Sequence, residues 1–402
     1  MPRSVLLMLS QLPHDPTSGA ARSLRTMCEW LAAAPDFRVS CLGTTASDSG
    51  AGLDALALLR EQGHEVTVEP GGEGRRPVYR FVSRGVACTI LDVAPQRSDT
   101  WHGLYGGQYN ALLDGLQRAE RFEVCLTMGA MAPERARQAW LRDRECAVVL
   151  GVRQHGYYHP GAFVSVDDAL MPSEFLVKRY AERVGVRGTA LPMPIELEDV
   201  VPDEHRPIFT VQVNPTPEKG LYFLVRLLDE LASARPELPL LIVESRGGGG
   251  GVIRAAASSG IDLARHANIM VSPGAPQPKI FLAATRVLLA PSVWEEPSGR
   301  VAAEAMLCGL PPIVSDRGGL PETVGASGFV LPLPAWLTSE TRRAVDAESV
   351  RPWVDQIVRL HEDQSWYDLA RARAREGGRV FHPDVLKPRY IEYFKGVRRK
   401  PH

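Results

Sequence analysis

Residues 291–325 read PSVWEEPSGRVAAEAMLCGLPPIVSDRGGLPETVG. An apolar run, Val287 to Pro291, leads into this stretch, and the turn Pro297 to Gly299 feeds into a segment of helix-forming residues, Arg300 to Leu307. A second apolar run follows at Pro312 to Ser315. Because a strand, a crossover helix and a second strand form the repeating unit of a parallel sheet, this stretch predicts an α/β fold.

The same alternation extends in both directions along the chain and predicts two α/β domains of similar size. Runs rich in Val, Ile and Leu predict buried parallel strands, and segments of helical length lie between them. The predicted strands are Val5 to Ser10, Val39 to Leu42, Glu65 to Val68, Ala87 to Leu91, Val124 to Met128, Ala147 to Leu150, Phe209 to Val213, Pro239 to Glu244, Asn268 to Val271, Val287 to Pro291 and Pro312 to Ser315.

A linker between the two domains is predicted at residues 191–207, LPMPIELEDVVPDEHRP, which contain four prolines and no apolar period. The first domain then covers residues 1–190 and the second covers residues 208–375. The remaining residues, 376–402, are predicted to form a helical tail with aromatic anchors.

Composition excludes several classes of protein. The 402 residues carry 46 Lys and Arg against 47 Asp and Glu, a formal net charge of -1, so no chain-wide field attracts nucleic acid. The apolar runs are far shorter than the roughly 18 residues of a membrane span, and the N-terminal segment is too short and polar for a secretory signal. The six cysteines show no metal spacing. The sequence therefore predicts a cytoplasmic protein with reduced cysteines and no metal or other cofactor.

The turn before Arg300 is the main candidate for an anion site. A helix that begins there presents unpaired backbone N–H groups and the positive end of its dipole, which together bind phosphate without a metal. Glu296 lies just before this helix and Glu304 lies within it. Carboxylates repel phosphate but accept hydrogen bonds from sugar hydroxyls. The alternatives are a charge at the helix terminus for Glu296 and a solvated helix face for Glu304.

The motifs of this stretch resemble the donor site of the retaining GT-B glycosyltransferases of family four. That family carries the pattern E-P-F-G-x-x-x-x-E-A-M, then a strand and G-G-x-P-E. Here the first pattern runs from Glu296 to Met306, with Ser298 in place of the usual Phe, and the second runs from Gly318 to Glu322. The resemblance implies a GT-B architecture, with two Rossmann-like parallel-sheet domains facing a cleft and a C-terminal helix that crosses back to the first domain.

The resemblance also implies a nucleotide-diphosphate sugar as donor, bound mainly by the second domain. It assigns Glu296 to hydroxyls of the donor sugar and Glu304 to the nucleotide ribose. Lys219 matches the lysine that pairs with the diphosphate. The other residues that the resemblance places at the donor are Ser298, Gly299, Arg300, Val301, Gly318 and Gly319.

Asn214 marks a departure from the family, which usually has an arginine five residues before the lysine. With one fixed cation missing, the leaving diphosphate has to be stabilised by Lys219, by the helix amides, or by another cation such as Arg246 or Arg300. The alternative interpretation of Lys219 is a solvated charge at the start of a helix.

The first domain contributes further candidates. Gly19, in the segment Thr17 to Ala20, resembles the family's glycine loop near the diphosphate. His155 corresponds to a histidine near the reacting carbon, with a surface or core histidine as the alternative. His14 is a candidate on the acceptor side, and the aromatic stretch Gln154 to His159 lines an acceptor pocket or forms a packed cluster. The predicted catalytic residues are Glu296, His155 and Lys219.

The function implied by the resemblance is a retaining, metal-independent glycosyl transfer from a nucleotide-diphosphate sugar to a hydroxyl acceptor, which is a glycan, a lipid-linked saccharide or a small molecule. Two alternatives stay open: a nucleotide-sugar epimerase or hydrolase of the same fold, and an inactive sugar-nucleotide-binding protein. No nucleic-acid partner is predicted. The basic run Lys395 to Lys400 indicates either contact with the cytoplasmic face of a membrane or a solvated tail.

Overall fold

The computed structural model describes residues 2–16, 18–47, 53–244, 250–275 and 277–400. Two residues discussed above, Thr17 and Arg246, lie outside the described residues. Contacts divide the chain into two compact units: unit 1 comprises Met1–Pro194 and Leu386–His402, and unit 2 comprises Ile195–Val385. The division after Pro194 falls inside the segment for which the sequence predicts a linker.

Unit 1 is built on one mainly parallel sheet. Its strands are β1 (Arg3–Met8), β2 (Phe37–Thr44), β3 (Thr67–Glu69), β4 (Val78–Ser83), β5 (Val86–Leu91), β6 (Val124–Thr127), β7 (Ala147–Gly151), β8 (Asp168–Met171) and β9 (Thr189–Ala190). In the described residues their order is β3-β4-β5-β2-β1-β6-β7-β8-β9. Strand β4 runs antiparallel to both of its neighbours, and the other pairs are parallel.

The helices of unit 1 that follow these strands are α1 (Gly19–Ala32), α2 (Ala55–Glu61), α3 (His102–Glu120), α4 (Ala132–Arg142) and α5 (Glu174–Val184). Helix α1 begins where Ser18 Oγ accepts a hydrogen bond from the backbone N–H of Ala21 at 3.3 Å, which satisfies one amide of the first turn. Its buried residues, including Leu24 and Met27, pack with β1 in the core.

Unit 2 is built on a second, smaller sheet. Its strands are β10 (Phe209–Val213), β11 (Leu240–Glu244), β12 (Ile269–Pro273), β13 (Thr285–Ala290), β14 (Pro312–Ser315) and β15 (Phe329–Leu331). In the described residues the order is β12-β11-β10-β13-β14-β15, and all neighbours are parallel. The helices are α6 (Leu197–Val200), α7 (Leu221–Ala234), α8 (Gly251–Ser258), α9 (Lys279–Leu282), α10 (Arg300–Leu307), α11 (Leu320–Val324), α12 (Ala347–Glu362) and α13 (Gln364–Gly378).

The last helix, α14 (Pro383–Gly396), lies largely within unit 1. Leu386, Tyr390 and Phe394 are fully buried and belong to the same hydrophobic core as β1 and α1. Part of the basic run at its end is already paired, since Lys395 Nζ lies 2.7 Å from Asp36 Oδ2. Arg399 Nη1 lies 3.2 Å from Glu145 Oε2 in the same unit.

Several elements differ from the sequence prediction. The sequence predicts a helix over Tyr109 to Ala119, whereas helix α3 begins at His102, although its first turns contain Gly103, Gly106 and Gly107. Glycine lowers intrinsic helix propensity, so the sequence favoured a loop there, and burial of Tyr109 outweighs that preference. Strand β4 was missed because Arg80 interrupts its apolar residues, and it is held by antiparallel pairing with β5.

Candidate active site

The order of strands in unit 2 locates a crevice. Strand β10 lies between β11 and β13. The chain adds β11 and β12 on one side of β10 and then adds β13, β14 and β15 on the other side, so the strand order reverses at β10. In such sheets ligands bind outside the carboxyl ends of the strands at this switch point. The two loops that follow β10 and β13 are joined there, because the N–H groups of Val293 and Trp294 donate to the carbonyl of Glu218 at 3.0 and 3.1 Å.

Glu296 and Lys219 form an ion pair within this crevice, although they are 77 residues apart in sequence. Glu296 Oε1 also accepts a hydrogen bond from Ser292 Oγ at 2.8 Å. The Glu296 side chain is 13% exposed and that of Lys219 is 36% exposed. The structure therefore brings together the two residues predicted to contact the donor sugar and its diphosphate, and Lys219 is not simply a solvated charge.

Gly220 allows the two loops to approach each other. It precedes α7 with a φ of +80°, and a Cβ at this position would lie 1.9 Å from the carbonyl oxygen of Pro291. Only glycine adopts this backbone conformation without strain and leaves room for the neighbouring carbonyl. The position of Lys219 thus depends on the residue that follows it.

The first turn of α10 faces the same switch point. Gly299 is its N-cap residue and provides no side-chain cap, and the Gly299 N–H donates to Thr323 Oγ1 at 3.0 Å. The next amides, those of Arg300 and Val301, belong to the first turn and have no acceptor within the helix. Ser298 is half-buried beside them. This end of the helix carries the positive pole of its dipole.

Glu304 is buried on α10, with 5% of the residue exposed. Its Oε1 accepts a hydrogen bond from Arg300 Nε at 2.8 Å, one turn earlier. Burial and the nearby Glu304 carboxylate raise the pKa of Cys308 to about 12. The solvated helix face considered for Glu304 is wrong, because the side chain is enclosed and its charge is paired.

The loop with Gly318 and Gly319 supports the segment that carries Glu296. The Gly319 N–H donates to the Glu296 carbonyl at 2.7 Å. Gly318 has a φ of +63°, and a Cβ there would lie 2.2 Å from the backbone nitrogen of Glu296. The two predicted donor motifs are therefore in direct backbone contact.

A Gly318→Ala substitution is expected to weaken binding of the donor sugar nucleotide at least tenfold, because the added methyl group displaces the backbone at Glu296. Gly260→Ala is the matched control, since Gly260 has a φ of +71° and no heavy atom within 4 Å of its would-be Cβ. Both variants carry backbone strain of roughly 1–2 kcal/mol. Calorimetric titration measures the affinities, and equal affinity in the two variants would contradict the assignment.

Asn214 follows β10 directly and has a left-handed backbone with a φ of +54°. Its N–H donates to the Val243 carbonyl at 2.8 Å, which extends the pairing of β10 with β11 by one residue. Asparagine tolerates this conformation better than most residues do. The side chain brings no positive charge to the crevice.

In unit 1, Gly19 is the first residue of α1, and His155 lies in the loop after β7. Nδ1 of His155 forms a hydrogen bond with the Tyr158 hydroxyl, and the imidazole lies edge-on to Phe175 with ring centroids 6.3 Å apart. Tyr158 in turn packs against Tyr180. Tyr158 therefore belongs to a packed aromatic cluster that orients His155, whereas Gln154, Gly156, Tyr157 and His159 of the same stretch line a pocket of about 590 Å³ within unit 1.

His14 has no surface to offer an acceptor, because only 2% of it is exposed. Its Nε2 lies 3.1 Å from Ser83 Oγ, and its ring packs against His64 and Phe81. Burial lowers the pKa of His14 well below its usual value. The expectation that His14 contacts the acceptor is wrong, and the residue belongs to the core.

Within the described part of the chain, no three His, Cys, Asp or Glu side chains converge in a cluster that could hold a metal ion. No helix among the same residues is long and apolar enough to cross a membrane.

Similarity to known proteins identifies the family of this chain. Residues 195–379 match the family described as glycosyl transferases group 1. The alpha-maltose-1-phosphate synthase of Mycolicibacterium smegmatis is 32% identical over 377 residues, and the match covers 89% of this chain and 92% of the relative. The chain belongs to the glycosyl transferases group 1 family. It is therefore a glycosyltransferase, as its motifs predict.

Solved structures show that this glycosyltransferase has the GT-B fold. A sucrose-phosphate synthase from Thermosynechococcus elongatus superposes with a TM-score of 0.66 at 16% identity, covering 98% of both chains. Anabaena HepE, solved with UDP and glucose, superposes with a TM-score of 0.64 at 16% identity, covering 99% of this chain and 100% of that one. The predicted α/β class with two Rossmann-like parallel-sheet domains is confirmed.

Proposed function

We propose that this glycosyltransferase moves a sugar from a nucleotide-diphosphate donor to a hydroxyl acceptor, with retention of configuration and without a metal ion. The observation that carries the proposal is the ion pair of Lys219 and Glu296 at the switch point of unit 2. Beside it, the first turn of α10 provides an anion site. These are the groups that a sugar diphosphate needs at the bond that breaks.

Lys219 and the backbone amides of Arg300 and Val301 stabilise the leaving nucleotide diphosphate. Negative charge develops on the diphosphate as the sugar departs, and fixed donors directed at that charge supply much of the rate enhancement in such sites. Because Asn214 is uncharged, these groups act without the arginine usual in the family. Arg300 adds a second positive charge near the same turn, although its Nε is bound to Glu304.

Glu296 and Glu304 hold the two sugars on either side of the diphosphate. Glu296 accepts hydrogen bonds from the donor sugar, and its pairing with Lys219 keeps its carboxylate oriented before the donor arrives. Glu304 accepts hydrogen bonds from the ribose hydroxyls, and Arg300 fixes its direction. When the diphosphate binds, it competes with Glu296 for the Lys219 ammonium.

Retention follows if the acceptor hydroxyl attacks the sugar carbon on the face from which the diphosphate leaves. The carbon–oxygen bond to the diphosphate breaks, the bond to the acceptor oxygen forms, and a diphosphate oxygen takes the acceptor proton. No covalent residue is required. The family resemblance assigns His155, which is oriented by Tyr158, to the reacting carbon, and we keep that assignment in the proposal.

A small sugar is the acceptor that we propose. The curated relative is named as a synthase of alpha-maltose 1-phosphate, a phosphorylated disaccharide. We place the reaction in a reducing compartment such as the cytoplasm, because all six cysteines are free thiols and five of them are buried.

A ligand screen followed by product analysis tests the proposal. Melting temperatures are measured with UDP, GDP, ADP and dTDP, since a ligand that binds only the native state raises the melting temperature. The matching nucleotide sugar is then incubated with glucose, maltose and glucose 1-phosphate in EDTA, and the products are examined by NMR. We expect transfer with the anomeric configuration of the donor. Release of the nucleotide diphosphate at the same rate with and without acceptor indicates a hydrolase. A donor sugar of altered configuration indicates an epimerase. Nucleotide binding without any turnover indicates an inactive protein.

A further inference from the structure

Ser292 lies where three loops of unit 2 meet, and neither the motifs nor the comparisons assign it a role. It follows β13 by two residues, and only 1% of it is exposed. The hydroxyl of Ser315, the last residue of β14, donates to the Ser292 carbonyl at 2.6 Å. Ser315 is itself fully buried. The neighbouring strand therefore fixes the backbone that carries the Ser292 side chain.

The Ser292 hydroxyl lies within hydrogen-bond distance of two acceptors. Its Oγ is 3.0 Å from the Glu218 carbonyl oxygen and 2.8 Å from Glu296 Oε1. A hydroxyl has one proton, so it donates to one of them at a time. The Glu218 carbonyl already accepts hydrogen bonds from the N–H groups of Val293 and Trp294. Because the carboxylate is charged and binds a donor more strongly than a neutral carbonyl does, the Ser292 proton lies on the side of Glu296.

The two oxygens of the Glu296 carboxylate differ in their contacts. Oε1 is paired with Lys219 Nζ and also accepts the hydrogen bond from Ser292. Within the described residues, Oε2 accepts no hydrogen bond. One oxygen therefore holds the carboxylate in place, and the other is left for a hydroxyl of the donor sugar.

Lys219 leaves Glu296 when the donor binds, according to the proposed function. A diphosphate carries more negative charge than a carboxylate and attracts the ammonium more strongly. The Ser292 hydroxyl is then the donor that remains on Oε1 in the part of the chain that the structure describes. The Glu296 side chain is 13% exposed, and a carboxylate removed from water to that degree is costly without hydrogen bonds.

We infer that Ser292 is a positioning residue, which keeps the Glu296 carboxylate oriented after Lys219 has moved to the diphosphate. Ser292 suits this role because its short side chain is buried and cannot follow the substrate. Lys219, in contrast, has a flexible four-carbon stem and is 36% exposed. The inference rests on the proposed function, because it concerns the same donor site. It predicts an effect on the donor sugar and on the transfer step, and little effect on the nucleotide.

Binding measurements test this role without turnover. The free diphosphates UDP, GDP, ADP and dTDP and their glucose derivatives are titrated into the wild type and into Ser292→Ala. For the nucleotide that the wild type binds, we expect the affinity for the free diphosphate to change less than threefold and the affinity for the nucleotide sugar to fall at least fivefold. Equal losses for both ligands would indicate a merely structural role and overturn the inference, as would unchanged affinity for both.

Thr285→Val is the matched control for the loss of a buried hydroxyl. Thr285 is fully buried at the other end of β13, and its Oγ1 donates to the Phe281 carbonyl at 2.8 Å. We expect both affinities of this variant to stay within twofold of the wild type. Melting temperatures show whether the variants are folded. In place of an unfolded Ser292→Ala, Ser292→Cys is measured, because its thiol is a much weaker hydrogen-bond donor than a hydroxyl.

A double-mutant cycle shows whether Ser292 acts through Glu296. Ser292→Ala alone is expected to lower kcat at least tenfold. In the Glu296→Gln background the same change is expected to lower kcat less than threefold, because no charged carboxylate remains to be held. Two residues that act through one contact show such non-additive effects, whereas independent losses multiply. A tenfold loss in both backgrounds would overturn the inference.

The inference and the proposed function fail in different ways. A wild-type kcat in Ser292→Ala, in a chain that transfers sugar, refutes the inference and leaves the proposed function standing. A wild type that binds the nucleotide sugar but transfers nothing refutes the proposed transfer, and the titrations still judge Ser292. A wild type without affinity for any of the nucleotides refutes both.

Discussion

A Glu296→Gln variant is expected to transfer sugar roughly 100- to 1,000-fold more slowly than the wild type, the usual effect of removing one preorganised group at a reacting centre. Its affinity for the free nucleotide diphosphate is not expected to fall, because the change frees Lys219 from the carboxylate that competes with the diphosphate. Glu296 accepts a hydrogen bond from Ser292 and pairs with Lys219, so its carboxylate is already fixed in the crevice. The amide of Gln keeps the shape but removes the charge that orients the donor sugar.

The rates and affinities are measured by nucleotide release and by calorimetric titration. Glu376→Gln serves as the control, because Glu376 lies on α13 in the same unit with its side chain 76% exposed. A wild-type rate in Glu296→Gln would remove Glu296 from the reaction. A loss of nucleotide affinity as large as the loss of rate would assign it to the nucleotide instead of the sugar.

Replacing Glu304 with Gln is expected to weaken binding of the nucleotide diphosphate about 10- to 100-fold. Hydrogen bonds to a charged group contribute about 1.5–3 kcal/mol each, and Glu304 is assigned to the ribose. Because Glu304 is buried and accepts a hydrogen bond from Arg300, its side chain already has a fixed orientation before the nucleotide binds. The free nucleotide diphosphate is used in the titration, so that contacts of the donor sugar do not enter.

The Glu376→Gln variant again shows the effect of an exposed glutamate. Melting temperatures of the unliganded variants show whether Glu304→Gln remains folded, because the change replaces the charged partner of Arg300 with a neutral amide. Nucleotide affinity within twofold of the wild type, in a folded Glu304→Gln variant, would refute the role at the ribose.

The sequence was most informative where local and tertiary preferences agree. The helix Arg300–Leu307 and the strand Pro312–Ser315 have the predicted bounds, because a turn with Pro and Gly precedes a run of Ala, Leu and Met and the following strand is wholly buried. Helix α3 was predicted too short because the glycines in its first turns have low helix propensity. Its buried face packs against residues that are distant in sequence. Propensity carries no information about such partners.

The candidate site shows the same division. Family motifs predicted Lys219 and Glu296 separately, but their ion pair depends on two loops that meet only in the folded sheet. Ser292, whose hydroxyl donates to Glu296, was missed, since a lone serine after a strand has the pattern of an ordinary loop residue. The available signal was its position after β13, a strand that pairs with the β10 strand preceding Lys219.

The pyrophosphate of the donor is proposed to bind at the first turn of α10 between Glu296 and Glu304. A crystal structure with the nucleotide diphosphate identified in the screen tests it most directly. We expect phosphate oxygens about 2.7–3.2 Å from the amide nitrogens of Arg300 and Val301, Lys219 turned from Glu296 to the diphosphate, and the ribose on Glu304. A nucleotide bound elsewhere, with Lys219 still on Glu296 and Glu304 contacting only Arg300, would contradict it.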